Sequence, residues 1–277
     1  MNRYLKEKLF LILMKISLYL FLFMVASLFF SIFFKGISYL SFEMVFSKPK
    51  KGFYLGGGGG ILPSIFGSLV LAFFSTLLAF LVSLPMTIFL NLYSKRKFSN
   101  FIRNFIDLLW GIPSIVYGIF GFFIMVYIGL KSSLLAGIIT LSFVIFPLIL
   151  RSLDELLQNI PFTLKEASLS LGLNKFQMGI KVFLKAIAPG VLSSILISFG
   201  RAIGDSASIL FTAGFSDNFP TSLFSPVSSL PLVVFYLYSS PDKEVSGRAY
   251  AASIILIIIS ILISLISRRI GKRIYGK

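Results

Sequence analysis

Arg201 and Asp205 stand four residues apart in Ala186–Ser216, a run that carries no other charge. An ionised side chain at the centre of a bilayer costs about 2.5–3.5 kcal/mol on insertion scales, so such residues face protein or water and often serve a transport path. On a helix, this spacing places both on one face, one turn apart, where they can pair. Arginine also offers a planar fork of donors suited to phosphate or another oxyanion. Two readings follow. Arg201 meets an anion while Asp205 holds the guanidinium and competes for it, or the two form a structural ion pair that locks helices together. A lone arginine does not choose among phosphate, sulfate and molybdate.

The remaining chemistry is sparse. The chain has no cysteine and no histidine, which excludes disulfides, Cys/His zinc sites and any catalytic triad using either residue. The run Gly56–Gly60 leads into Ile61-Leu62-Pro63. A phosphate-binding Walker loop needs a Gly-Lys-Ser/Thr ending, and that motif occurs nowhere. The glycines read as a flexible entry to the next segment. No catalytic residue, metal site or cofactor is expected, and if ATP drives this protein another chain must bind it.

The elements that position Arg201 and Asp205 follow from composition. The chain has 277 residues, 57% of them hydrophobic and 13% charged, with a mean hydropathy of +0.94. That leaves too little polar surface for a soluble enzyme. A membrane-crossing helix needs about 20 mainly apolar residues. Six such spans are expected, near 10–35, 62–91, 107–129, 132–151, 189–212 and 248–268. With both termini cytoplasmic, 17 of the 26 lysines and arginines fall inside, as the positive-inside rule requires. The basic excess thus reflects topology and lipid headgroups rather than nucleic acid. The first span is also compatible with a signal peptide, but its apolar stretch is long and no A-x-A-like cleavage site follows it.

Three polar segments interrupt the spans: 36–60 and 213–247 outside, and 152–188 inside. The inner segment carries helix punctuation. Thr163 and Glu166 have capping-box spacing, Gly172 suits a left-handed helix end, and Asn174 and Gln177 repeat the capping spacing for a second helix near 175–185. The result is either a compact cytoplasmic knob or an amphipathic hairpin lying on lipid. Externally, Pro231–Tyr238 is too short to cross the membrane and reads as a re-entrant or partner-facing helix.

Several motifs resemble those of ABC importer permeases. Glu166-Ala167-Ser168, three residues, Gly172, nine residues and Val182-Phe183-Leu184 is similar to their EAA motif, with Lys185 where proline is usual. Gly200-Arg201-Ala202-Ile203-Gly204-Asp205-Ser206-Ala207 resembles the Arg-Ala-Ile-Gly-Glu-Thr-Ala signature of PstA-type phosphate permeases, with aspartate and serine for glutamate and threonine. Gly111–Gly121, Phe211–Phe215, Pro220–Leu223, Leu230-Pro231 and Arg248–Ala252 follow the same family in order, so the likeness covers roughly residues 55–270.

The resemblance implies an all-α polytopic membrane protein with the type I ABC importer permease fold, six transmembrane helices and a cytoplasmic coupling helix. Residues 1–61 would hold the first helix and external loop. Residues 62–277 would form the transporter unit, with its coupling segment at 152–188. Arg201 and Asp205 would lie on the substrate pathway, and Glu166, Ala167 and Gly172 would couple to an ATPase. The implied partners are a PstC-type permease in a heterodimer, two copies of a PstB-type ATPase, a PstS-type phosphate-binding protein, phosphate and membrane lipid. The implied location is a bacterial or archaeal cytoplasmic membrane. A permease for another oxyanion and a proton-coupled secondary transporter are the alternatives.

Overall fold

A computed structural model describes residues 3–50, 52–53 and 57–275. Gly56 of the glycine run, and Lys51 and Lys277 of the charge count, lie outside the described residues. The described chain is helical: α1 Arg3–Gly36, α2 Phe42–Phe46, α3 Leu62–Leu92, α4 Arg96–Trp110, α5 Ser114–Tyr127, α6 Leu134–Gln158, α7 Phe162–Ser170, α8 Lys175–Gln177, α9 Leu184–Gly204, α10 Leu230–Tyr238 and α11 Lys243–Tyr275. Five helical stretches are long and apolar enough to cross a membrane, and the bent pair α4–α5 makes a sixth if counted as one span.

The parallel pair α3 and α6 forms the spine. Ser75 Oγ donates to the Ile138 carbonyl at 3.1 Å, Ser83 Oγ to the Phe146 carbonyl at 3.4 Å, and Asn91 Nδ2 to Asp154 Oδ1 at 2.7 Å. Every one of these pairs is separated by 63 residues. The buried face of α3 carries Ser64, Gly67, Ser68, Ala72, Ser75, Thr76, Ala79 and Ser83. Small residues of this kind let helix backbones approach closely in a membrane, where apolar burial supplies little driving force between helices.

The third expected span, 107–129, divides. Pro113 lacks an amide hydrogen and restricts the residue before it. The chain turns by 97° between α4 and α5. Tyr117 Oη donates to the Leu109 carbonyl at 2.8 Å and ties the elbow together. α5 has 14 residues, about 21 Å of helix.

The fifth expected span, 189–212, is displaced toward the N-terminus. Lys175–Gly204 runs as one 30-residue rod that contains a π-helical stretch, Met178–Phe183. The separate helix expected near 175–185 is therefore the base of this rod. After Gly204 the chain turns back into the end of the bundle opposite α7. The first amides of α6, which have no partner inside their own helix, donate there: Ser133 N–H to the Thr212 carbonyl at 2.9 Å, Leu134 to Ser225 at 2.9 Å and Leu135 to Leu223 at 2.8 Å. α10 then buries Leu230, Leu232, Val233 and Leu237. The apolar 231–238 stretch is thus a packed helix rather than a crossing.

Gly67 marks the tightest approach. A Cβ there would overlap the Ser228 carbonyl oxygen, a backbone atom that cannot swing away. Overpacking such a site costs about 1–3 kcal/mol. Gly67→Val is expected to lower the thermal unfolding temperature of the detergent-solubilised protein. A melting curve superimposable on wild type would contradict this packing.

Candidate translocation site and coupling segment

Arg201 lies in the last turn of α9 and is exposed. Nearby Gly200 and Gly204 have no atom within 4 Å of where a Cβ would sit, and Ile197 is also exposed. These residues share one side of α9, and among the described residues nothing covers it. Ala202 and Ile203 point inward and are buried.

The expected Arg201–Asp205 pair does not form. Asp205 is extended, at φ −81° and ψ 123°, and caps the helix instead of continuing it. The four-residue geometry therefore ends at Gly204. Asp205 Oδ1 accepts from the Ser208 amide at 2.9 Å and the Ser208 hydroxyl at 2.8 Å. The Arg201 guanidinium has no ion pair or hydrogen bond among the described residues. Asp205 thus shapes the turn that leads away from the arginine. Gly118 of α5 makes room for that turn: its Cβ would lie 2.8 Å from the Ala207 and Ser208 carbonyl oxygens. Two segments singled out by sequence, 111–121 and 200–207, therefore meet.

A groove of about 480 Å³ continues from this side of α9. Ser193 and Gly200 line it from α9, and Ser260, Ser264, Ser267 and Arg268 line it from α11. Two other concavities of the molecule are lined by aromatic and aliphatic side chains, apart from one threonine hydroxyl in the 76-region and the Thr140 and Tyr117 hydroxyls near the elbow. Sequence reasoning missed this groove. The signal was present in Ser260, Ser264 and Ser267, whose spacing places them on one helical face.

At the other end of the rod stands the knob. Helix α7 begins after Pro161, at Phe162, so Thr163 falls within its first turn and no side chain caps it. The expected Thr163–Glu166 box is absent because proline sets the helix start two residues earlier. Gly172 does adopt the left-handed conformation, at φ +71°. Its amide donates to Leu169 at 2.9 Å and that of Leu173 to Ser168 at 3.2 Å, which together form a Schellman stop. The Asn174–Gln177 box is present, with bonds of 2.8 and 3.1 Å. Glu166, Ala167 and Gly172 are all exposed.

Sequence reasoning also missed a polar cluster where α3, α4 and α6 meet near the knob. Asp154 is fully buried. It accepts from Arg103 Nε at 2.7 Å and Nη2 at 3.0 Å, from Asn91 Nδ2 at 2.7 Å and from Gln158 Nε2 at 2.6 Å. Apart from the Asp154–Gln158 contact within α6, local spacing does not announce it, because Asn91, Arg103 and Asp154 lie 12 to 63 residues apart.

Residues 83–275 match the family of binding-protein-dependent transport system inner membrane components. The chain belongs to this family. It is 34% identical over 219 residues, 78% of this chain and 73% of the relative, to the phosphate transport system permease protein PstA 2 of Mycobacterium bovis. It is 32% identical over 216 residues, 76% of this chain and 74% of the relative, to the PstA of Xylella fastidiosa. In fold it is similar to a chain of a bacterial alginate ABC transporter crystallised with its periplasmic protein. The TM-score is 0.68 at 14% identity, over 97% of this chain and 96% of that one. The permease is therefore a transport component and not itself an enzyme.

The capping role of Asp205 is testable. An asparagine oxygen can accept the same two bonds, so Asp205→Asn is expected to melt like wild type. Asp205→Ala loses them, at about 0.5–2 kcal/mol by analogy with helix caps. Equal damage from both substitutions in thermal unfolding would point to an ion pair instead.

Proposed function

We propose that this chain is a permease subunit of an ATP-driven phosphate importer and contributes to the path of inorganic phosphate. The observation that carries this reading is Arg201. It is a guanidinium without a counter-ion among the described residues, on a helix side that none of them covers, in a family member whose relatives are named phosphate permeases. A charge in such a place needs water, an anion or a partner protein, and the guanidinium fork suits two phosphate oxygens. Asp205 belongs to the same pathway region and holds the turn beside the arginine.

On this reading α7 is the coupling helix, and Glu166, Ala167 and Gly172 meet a separate ATPase. Support comes from its exposure and from the turn and cap that make it a compact projection. The complex is a heterodimer with a PstC-type permease, two PstB-type ATPase copies and a PstS-type phosphate-binding protein. It sits in a bacterial or archaeal cytoplasmic membrane with both termini inside, as the loop charges favour. Residues 1–61 supply the first helix and external loop, and residues 62–277 the transporter unit.

ATP-driven closure of the ATPase pair pushes the knob, the helices rock, and access to the path alternates between the two sides. The test is radiolabelled phosphate uptake by the complex in proteoliposomes. Arg201→Ala is expected to lower uptake at least 100-fold while the subunits still co-purify, and excess sulfate or molybdate is expected to leave wild-type uptake unchanged. Wild-type uptake by the variant would remove the pathway role. Equal competition by molybdate would replace phosphate with a broader oxyanion specificity.

A further inference from the structure

Helix α7 joins the membrane helices through two arms, and both lead to the same stretch of α3. The first arm is α6. Only Asn159, Ile160 and Pro161 separate α6 from α7. This link is tied down: Asn159 N–H donates to the Glu155 carbonyl at 3.1 Å, Ile160 to Leu157 at 3.4 Å and Leu164 to Pro161 at 3.1 Å. A push on α7 therefore reaches the last turn of α6 with little slack. There it meets Asp154.

The bonds of Asp154 fix orientation as well as distance. Oδ2 takes Arg103 Nε and Gln158 Nε2, while Oδ1 takes Arg103 Nη2 and Asn91 Nδ2. Arg103 Nη2 also donates to Asn91 Oδ1 at 3.2 Å, which closes a triangle among α3, α4 and α6. A two-pronged arginine–carboxylate contact resists rotation in a way that a single contact does not. α4 in turn carries the elbow, because Tyr117 of α5 is bonded to Leu109.

The second arm is the rod that leads to α9. Its π-helical base places Gly179 against α3, where a Cβ would stand 3.1 Å from Ile88 and 3.2 Å from Leu92. Asn91 lies between these two residues. The inner end of α3 is thus gripped by both arms.

We propose that the Arg103–Asp154 fork is the joint through which the knob moves α3 and the α4–α5 elbow, and that the two are positioning residues for transport. This rests on the reading of α7 as the ATPase contact of a phosphate importer. Buried ion pairs add little stability compared with well-packed apolar residues of similar size, whereas they do impose geometry. That difference separates a joint from a merely structural pair. The partly exposed pair of Arg151 with Asp107, at 3.6 Å between the same two helices, serves as a control.

The experiment measures ATP hydrolysed per phosphate imported by the complete complex in proteoliposomes, normalised to assembled complex. The double variant Arg103→Met with Asp154→Leu leaves no unpaired charge. It is expected to assemble yet raise the ratio at least tenfold. Arg103→Lys keeps the charge without the fork and is expected to raise it about threefold. Arg151→Gln is expected to match wild type. A wild-type ratio in either the double variant or Arg103→Lys overturns the joint alone. A wild-type complex that imports no phosphate overturns both the joint and the functional reading beneath it.

Discussion

The parallel packing of α3 on α6, in one register over most of their length, is the constraint on which the remaining structure depends. Side-chain hydrogen bonds at Ser75, Ser83 and Asn91 recur every eight residues at the same sequence offset. Helices in lipid gain little from apolar burial, so close backbone approach and polar contacts must hold them. The serines, alanines and glycine along α3 supply the first, and the three bonds supply the second. Sliding one helix would break all three together.

Each end of this spine then determines what can be built there. At one end, the first amides of α6 and the Ser64 and Ser68 hydroxyls of α3 anchor the returning segment 205–230. That segment fixes where α9 must stop, and so leaves Arg201 at the edge of an open helix side. At the other end, Asn91 and Asp154 bring α3 and α6 onto Arg103 of α4. This holds the elbow and sets the base from which α7 projects. The candidate anion station and the candidate coupling surface are separated by the length of the rod, yet both are referred to the same helix pair.

Much of this was legible in the sequence, and the exceptions have physical causes. Hydropathy located the long spans because a bilayer imposes a length, but it could not see the 97° elbow, where apolar residues continue across the break. Pro113 was the available signal. Gly172 and the Asn174–Gln177 box were readable because caps are local. The Thr163–Glu166 box failed since Pro161 starts the helix earlier. The Arg201–Asp205 pair failed because four-residue spacing pairs side chains only on a helix that continues through 205, whereas α9 ends at Gly204. The Asp154 cluster was out of reach, being assembled from three helices by packing alone.

On the proposed function, the uncovered side of α9 faces a water-filled anion path. The chain contains no cysteine, so single thiols report cleanly. Ile197→Cys, Gly200→Cys and Gly204→Cys should each be exposed in the assembled importer to a water-soluble maleimide, with Leu81→Cys on the apolar side of α3 as comparison. Rapid labelling that phosphate slows is expected at 197, 200 and 204, and little at 81. Labelling no faster on α9 than at 81, or unaffected by phosphate, would contradict it.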